Sequence, residues 1–303
     1  MNDEKSTAHR VVPKTVKNVL TRSSGFLLNP GGQGPVCSHS LNPYSGCTLA
    51  NSLCGVGCYM RANGFVNKGR DWGSFLEVRT NAADSYRANL EREKRWAQKE
   101  LGKFGIFCAS ATDPFLPQER QYRVTESLLN AMLLSPPDEL ILQTHSRFVT
   151  DYVDIYEKLG KVCELRFHVS IETDRDSLPG LPPPASSIEQ RLSACEFLSQ
   201  KGFRIVVIVA PLLPIADPEK FFRRIGRVAS AVVIDHFILG DGTPDGRLTK
   251  KTPLPIAMAE VDPESLTLAY RDEMVKLARK ILPGRVGVSA GGFAGHYQGA
   301  VPE

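Results

Sequence analysis

Residues 41–61 read LNPYSGCTLANSLCGVGCYMR and contain three cysteines, Cys47, Cys54 and Cys58. Three thiolates this close together can bind three irons of an iron–sulfur cluster and leave one iron without a protein ligand. Such an iron is free to bind a substrate or a cofactor. The stretch therefore indicates a reactive site as well as a structural one.

The spacing Cys-x6-Cys-x3-Cys leaves two other interpretations open. A four-cysteine zinc site usually contains two Cys-x2-Cys pairs, which this stretch lacks, although Cys37 with His39 beside it could supply a fourth ligand. Three unrelated buried thiols are the other interpretation. The stretch also contains three glycines, Gly46, Gly55 and Gly57. Glycines let a backbone approach a cluster and offer N–H groups to its sulfurs, which a buried helix or strand does not need.

The composition is that of an ordinary globular protein. The chain has 303 residues, of which 42% are hydrophobic and 23% charged, enough for one large domain or two small ones. A net charge of +4 allows a nucleic-acid partner without requiring one.

The longest apolar stretch, 205–216, contains two prolines and is too short to span a bilayer. With no apolar signal-peptide core at the N-terminus, we expect a cytoplasmic protein without a membrane partner. Seven cysteines, three of them clustered, favour metal ligation over disulfides in a reducing compartment.

From residue 80 onward, apolar strands alternate with amphipathic helices, which predicts an α/β fold with a parallel sheet. The predicted strands are 104–110, 140–143, 164–171, 205–210, 231–237 and 286–289. The predicted helices are 81–99, 118–134, 150–159, 186–201, 218–228 and 263–281, with a polar, turn-rich loop at 240–251. Ser186 and Glu189 are the predicted capping box of the fourth helix.

The cysteine stretch resembles the cluster loop of radical S-adenosylmethionine (SAM) enzymes, and it is similar to that of the spore photoproduct lyase-like group, often labelled DNA repair photolyase. The loop of that group reads Asn-Pro-Tyr-x-Gly-Cys-x3-Cys-x2-Cys-Tyr-x-Arg. Further segments agree with the group in order, at 79–83, 110–120, 144–147, 169–172, 182–192 and 209–214. The resemblance therefore covers roughly residues 36–240.

The resemblance implies a partial (β/α)6 TIM-type barrel of the radical SAM kind over residues 36–240. We expect a basic, loosely ordered N-terminal extension over 1–35 and a C-terminal extension over 241–303 that packs on the barrel. The basic residues of the N-terminal segment are Lys5, Arg10, Lys14, Lys17 and Arg22, and a glycine-rich run follows at 31–34. An arm that touches phosphate is the other interpretation of this segment.

The same resemblance implies two cofactors, a [4Fe–4S] cluster held by Cys47, Cys54 and Cys58, and SAM bound at the open iron. Polar residues at the carboxyl ends of the predicted strands are the candidates for binding SAM. They are Ser110, Thr112, Asp113, His145, Ser146, Ser170 and Glu172.

We expect Ser110 and Thr112 to bind the methionine end of SAM, with His145 near its carboxylate. Ser170 and Glu172 are expected at the ribose hydroxyls. A purely structural role remains open for three of these residues. Asp113 can cap the following helix, Ser170 can be an ordinary strand residue, and His145 can be a buried barrel histidine whose hydrogen bonds are all made within the protein.

The implied activity is lyase-like. A reductant such as flavodoxin or ferredoxin supplies an electron, SAM is cleaved to a 5′-deoxyadenosyl radical, and the radical abstracts hydrogen from an unidentified substrate. A nucleic-acid lesion is one candidate substrate. The alternative is a non-enzymatic module that binds zinc or a cluster for stability or sensing.

The chain departs from the group at several positions. The gaps between the cysteines are longer by three residues and by one, and His145 stands where the group has lysine. Spore photoproduct lyases carry a hydrogen-donating cysteine in the segment that matches 109–113. Here that segment contains Ala111, and Cys108 is the thiol nearest to it. We therefore do not expect photoproduct reversal by the same route.

Overall fold

The computed structural model describes residues 10–29 and 34–297. Lys5 and the glycine-rich residues 31–33 of the predicted N-terminal extension lie outside the described residues. The strands are β1 (Arg10–Lys14), β2 (Leu20–Arg22), β3 (His39–Leu41), β4 (Tyr44–Gly46), β5 (Phe75–Arg79), β6 (Gly105–Cys108), β7 (Glu139–Thr144), β8 (Glu164–Ser170), β9 (Arg204–Val209), β10 (Ala231–Ile234) and β11 (Val286–Val288).

The α-helices are α1 (Leu53–Val56), α2 (Gly64–Asn67), α3 (Ala82–Leu101), α4 (Glu119–Tyr122), α5 (Val124–Leu134), α6 (Val153–Leu159), α7 (Ile188–Gln200), α8 (Pro218–Val228), α9 (Phe237–Gly240), α10 (Leu254–Val261), α11 (Leu268–Ile281) and α12 (Ser289–Phe293). Short 3-10 helices lie at Gly25–Leu28, Thr48–Asn51, Tyr59–Ala62, Arg147–Tyr152, Thr249–Lys251 and Pro263–Leu266.

The main sheet has the strand order β11-β10-β9-β8-β7-β6-β3-β2. Every pairing from β3 to β11 is parallel, and β2 joins the edge antiparallel to β3. Helices connect the parallel strands, so the predicted α/β fold class is confirmed. The carboxyl ends of these strands meet at one edge, where open α/β sheets place their functional groups.

Both faces of the main sheet are buried, which explains why its strands are nearly continuous apolar runs. In β6, Phe107 packs in a cluster with Ile141 and Val206 on one face. The adjacent Cys108 belongs to the larger cluster on the opposite face, which includes Leu128 of α5 and Leu198 of α7. Successive side chains of one strand thus point to opposite faces of the sheet, one face packing in the cluster of Phe107 and the other against the helices.

The helix boundaries correct three predictions. The predicted helix 118–134 is two helices, because Arg123 between α4 and α5 has φ 51°, outside the helical region. The capping box of α7 is formed by Ser187 with Gln190, one residue later than predicted. The predicted helix 263–281 begins as a 3-10 turn, and α11 starts only after its cap Thr267.

Segments that flank the predicted barrel also supply strands. β1 pairs with β5 in a three-stranded sheet of order β1-β5-β4, and β11 from the C-terminal segment extends the main sheet. The domain limits at residues 35 and 240 stay a prediction. In the described ranges, no helix is long and apolar enough to cross a membrane.

Candidate functional site

The three cysteines lie in a compact loop that follows β3 and β4. Cys47 precedes the 3-10 helix Thr48–Asn51, Cys54 lies within α1, and Cys58 precedes the 3-10 helix Tyr59–Ala62. Gly55 is required by packing within the loop itself. A Cβ on Gly55 would collide with the backbone of Ala50. The loop is therefore folded tightly by its own sequence.

The thiols share one buried environment. Burial, with further contributions from Asp113 and Cys58, raises the pKa of Cys47 to about 12. Burial also raises the pKa of Cys58, to about 11. It raises the pKa of Cys54 well above its usual value, and the neighbouring thiols Cys47 and Cys58 add to the shift, followed by Glu172 and Asp113. All three cysteines are thus within electrostatic range of one another.

Within residues 10–29 and 34–297, no group of three His, Cys, Asp or Glu side chains is close enough to hold one metal ion. The thiolates of a cubane cluster bind three different irons, so they need not converge on one point. The chemistry of the donors fits such a cluster: one loop supplies three sulfurs, of which Cys47 is buried and Cys54 and Cys58 are half-buried, and none of them is in a disulfide. Their raised pKa values mean that metal binding must displace their protons.

A cavity at the carboxyl end of the sheet brings the cysteine loop together with two predicted cofactor residues. Its lining includes Cys54, Gly57, His145, Glu172, Arg191 and Leu254. Leu254 of α10 also packs against the position before the third cysteine. A Cβ on Gly57 would collide with the Leu254 side chain, so α10 occupies that space.

His145, Glu172 and Arg191 form a chain of polar contacts along this cavity. His145 Nε2 lies 3.1 Å from Glu172 Oε1, and Arg191 Nη1 donates to Glu172 Oε2 at 2.8 Å. Burial acts to raise the pKa of Glu172, but Arg191 and His145 outweigh it and hold the pKa at about 2. Glu172 is therefore a carboxylate at every physiological pH, although only 5% of its surface is exposed.

Arg191 was not a predicted site residue. It is 2% exposed, and its Nη1 also donates to the backbone oxygen of Ser170 at 2.6 Å. The sequence carries a weak signal at most, because an arginine in the first turn of a helix is usually a surface residue. Arg191 is buried because α7 packs over the carboxyl end of β8, and the sequence does not show this packing.

Asp113 connects the ends of β6 and β7 through its two carboxylate oxygens. Oδ2 accepts the N–H of His145 at 2.7 Å, Oδ1 accepts that of Phe115 at 2.9 Å, and the hydroxyl of Thr144 donates at 2.9 Å to Oδ1. Burial raises the pKa of Asp113, and the contacts with His145 oppose that shift. Asp113 therefore positions His145. The alternative role as a helix cap does not apply, because α4 begins only at Glu119.

The predicted hydroxyl residues already have protein partners. Thr112 Oγ1 donates to the Gly46 oxygen at 2.7 Å, which ties the loop after β6 to the loop of the cysteines. The other three hydroxyls accept hydrogen bonds: Ser110 from Asn42 at 3.4 Å, Ser146 from the Phe148 N–H at 3.2 Å and Ser170 from Gln143 at 2.9 Å. Ser146 and Ser170 are fully buried, whereas Ser110 and Thr112 are half-buried.

Cys108, the thiol nearest in sequence to the segment 109–113, belongs to the protein core. It is 3% exposed and lies in the core cluster between the sheet and its helices.

Three basic residues, Arg61, Lys68 and Arg70, follow the third cysteine. Arg70 pairs with Glu77 at 3.0 Å, and Arg61 donates to the Gly55 oxygen at 3.3 Å. Lys68 is exposed.

Comparison with solved structures identifies the fold. A mutant of spore photoproduct lyase with bound AdoMet and dinucleoside spore photoproduct has a TM-score of 0.61, is 16% identical, and the match covers 92% of this chain and 81% of that one. The chain has the fold of spore photoproduct lyase. A second mutant of that enzyme gives the same TM-score of 0.61 and 16% identity. No protein-family model and no curated protein matches the chain. The resemblance expected from the sequence is thus confirmed in the fold.

Proposed function

We propose that this protein is a radical SAM enzyme that binds a [4Fe–4S] cluster through Cys47, Cys54 and Cys58. The observation that carries the proposal is the shared cavity, which Cys54 lines together with His145 and Glu172. The cysteine comes from a loop after β3 and β4, whereas the other two follow β7 and β8. A site assembled from three separate strand ends is typical of parallel sheets that bind a cofactor.

When bound, the cluster and SAM would together supply an electron and a 5′-deoxyadenosyl radical that abstracts hydrogen from the substrate. The contribution of the protein is to bind, orient and exclude water. Glu172 offers a fixed negative charge to hydroxyl or ammonium groups of SAM. Its Oε2 is held by Arg191, while its Oε1 has no well-aligned hydrogen bond among the described residues.

His145 is proposed to lie near the carboxylate of SAM, where a lysine stands in the similar enzymes. Its ring is 26% exposed, so it can reach a ligand, and its backbone is fixed by Asp113. Ser110 and Thr112 are proposed to lie at the methionine end. Since the Thr112 hydroxyl donates its proton to Gly46, only its lone pairs are available to a ligand.

The substrate proposal is limited by the missing hydrogen donor. The neighbouring structure binds a dinucleoside spore photoproduct, and a nucleic-acid lesion is therefore one candidate here. Because Ala111 lies in the segment of the donor cysteine and Cys108 is turned into the core, the product radical needs another source of hydrogen. We therefore propose hydrogen abstraction from a substrate other than the spore photoproduct.

The test is anaerobic reconstitution with iron and sulfide, followed by reduction with dithionite in the presence of SAM. We expect a brown protein that releases 5′-deoxyadenosine and methionine. Replacing Cys47, Cys54 or Cys58 with alanine should abolish both, whereas Cys195→Ala, at a fully buried position in the core, should abolish neither. A colourless protein that binds zinc and leaves SAM intact would contradict the proposal and favour the structural module.

A further inference from the structure

The charge of the chain is distributed unevenly along its sequence. Residues 5–70, which include the cysteine loop, contain eight basic residues and no Asp or Glu. The remainder of the chain has the other 29 of the 37 basic residues and all 33 acidic residues, so its net charge is −4. A strongly basic segment in a protein that is otherwise acidic indicates a surface for an anionic partner.

Two of these basic residues lie beside Cys58 and are exposed. The backbone N–H of Arg61 donates to the Cys58 oxygen at 3.0 Å. Asn67 Nδ2 donates to the backbone oxygens of Met60 and Arg61, at 3.0 and 2.8 Å, which holds the end of α2 and the following Lys68 against the turn after Cys58. Arg61 and Lys68 are both exposed, and no carboxylate among the described residues pairs with either of them.

The same segment exposes two aromatic side chains. Phe65, in α2, is 93% exposed, and Tyr59, the residue after Cys58, is 48% exposed. Aromatic residues with arginine and other polar residues around them are typical of the contact regions between proteins. We call Tyr59, Arg61, Phe65 and Lys68 the outer surface of the cysteine loop.

The outer surface lies apart from the cavity. The part of the cysteine loop that lines the cavity is Leu53, Cys54 and Gly57, and none of the described residues 58–70 lines it. A substrate must enter the cavity to react, so the outer surface is poorly placed to bind one. An electron needs no open path, because it can cross a short distance through protein. Cys58 connects the outer surface with the proposed cluster.

We propose that the outer surface of the cysteine loop is the docking site of an acidic one-electron carrier protein, such as a flavodoxin, that reduces the cluster. This proposal rests on the proposed function, because it requires a bound cluster. The carrier loses one electron and the cluster gains it, and no bond forms or breaks. Arg61 and Lys68 attract the carboxylates of the carrier and orient its approach. Phe65 becomes buried in the contact.

The first measurement is binding, which needs no cluster. Calorimetry gives the affinity of oxidised flavodoxin for the full-length protein, before and after reconstitution, at low and at high ionic strength. We expect binding that weakens with salt. Lys68→Glu and Phe65→Ala should each weaken it about 10-fold at low ionic strength. The matched controls Lys99→Glu and Leu134→Ala, at exposed positions of α3 and α5, should bind as the wild type does.

The second measurement is the rate of cluster reduction in the reconstituted protein, followed by stopped-flow absorbance. Reduced flavodoxin should reduce the Lys68→Glu variant about 10-fold more slowly than the wild type at low ionic strength. Dithionite, a small reductant that needs no docking site, should reduce both proteins at the same rate. This comparison separates a docking defect from damage to the cluster.

Equal flavodoxin affinities and equal rates in the Lys68→Glu variant and the wild type would overturn the proposal. A Lys68→Glu variant that binds a single-stranded oligonucleotide more weakly, but binds flavodoxin as the wild type does, would also overturn it, because the outer surface would then be a nucleic-acid site. A wild type without a cluster that dithionite reduces would contradict the proposed function itself, and the role of this surface with it.

Discussion

Replacing Arg191 with methionine would test the electrostatic core of the site. Arg191 is 2% exposed and donates both to Glu172 and to the Ser170 backbone oxygen, at 2.8 and 2.6 Å. Methionine fills a similar volume without charge, so the loss would come mainly from the two hydrogen bonds and the unpaired carboxylate of Glu172.

The magnitude follows from the burial of both partners. Removing one partner of a buried ion pair costs about 3–5 kcal/mol of unfolding free energy, because the remaining charge stays desolvated. Glu172 can limit this loss by taking up a proton, since its pKa would rise without Arg191. In the wild type its pKa is about 2, below the ordinary 4.5, so its stabilisation is complete above pH 4.5 and is lost as pH falls towards 2. In the variant, protonation of Glu172 as pH falls relieves the unpaired buried charge, so the loss of stability relative to the wild type should be smaller at pH 4.5 than at pH 7.

The assay is urea unfolding at pH 7 and at pH 4.5, together with the affinity for SAM of the reconstituted protein. We expect the variant to be less stable by about 3 kcal/mol or more at pH 7 and to bind SAM more weakly. Arg224→Met is the matched control. Arg224 pairs with Glu189 at 2.6 Å, but its side chain is 40% exposed, so its removal should cost less than about 1 kcal/mol.

An Arg191→Met variant within 1 kcal/mol of the wild type at both pH values, with unchanged affinity for SAM, would refute this reasoning. It would mean that the carboxylate of Glu172 does not depend on its contact with Arg191.

Three further predictions concern the loops around the cavity. Gly55→Ala should prevent cluster assembly, because its Cβ would collide with the Ala50 backbone, whereas Gly64→Ala, with nothing within 4 Å, should retain full iron content. Asp113→Ala should lower the unfolding free energy by about 1–3 kcal/mol and weaken SAM binding, because it leaves the buried Thr144 hydroxyl and the His145 N–H unpaired; urea unfolding and calorimetry measure both. Cluster reconstitution should proceed further at pH 8.5 than at pH 6.5, because the thiols of Cys47 and Cys58 have raised pKa values and iron must replace their protons. Absorbance of the cluster at equal iron supply measures the yield at each pH, and equal yields would contradict the prediction.

The part of the fold that the sequence predicts is the part with strong periodicity. Every strand predicted after residue 100 is present in the sheet, because each is a buried apolar run of at least three residues between helices. The elements before residue 80 were not predicted. β3 and β4 have three residues each, too short for any period to show, and the residues around them are the polar and glycine-rich residues of the cysteine loop.

The same contrast holds for the site. His145 and Glu172 could be predicted because both follow strands, and parallel strands end at one edge. The role of Arg191 could not, since its ion pair with Glu172 depends on how a proline-rich loop returns α7 to the sheet. The hydroxyl of Thr112 looked available in the sequence, but in the folded chain it donates to the backbone oxygen of Gly46, 66 residues away. Side-chain partners of this kind are decided by tertiary packing.

The most direct measurement of the central claim is electron paramagnetic resonance of the reconstituted, reduced protein, recorded with and without SAM. If the three cysteines hold a cluster with one open iron, the spectrum is that of a reduced [4Fe–4S] cluster, and it changes when SAM is added. A cluster whose spectrum is identical in both samples, or wild-type protein with no cluster signal at full iron supply, would contradict the account.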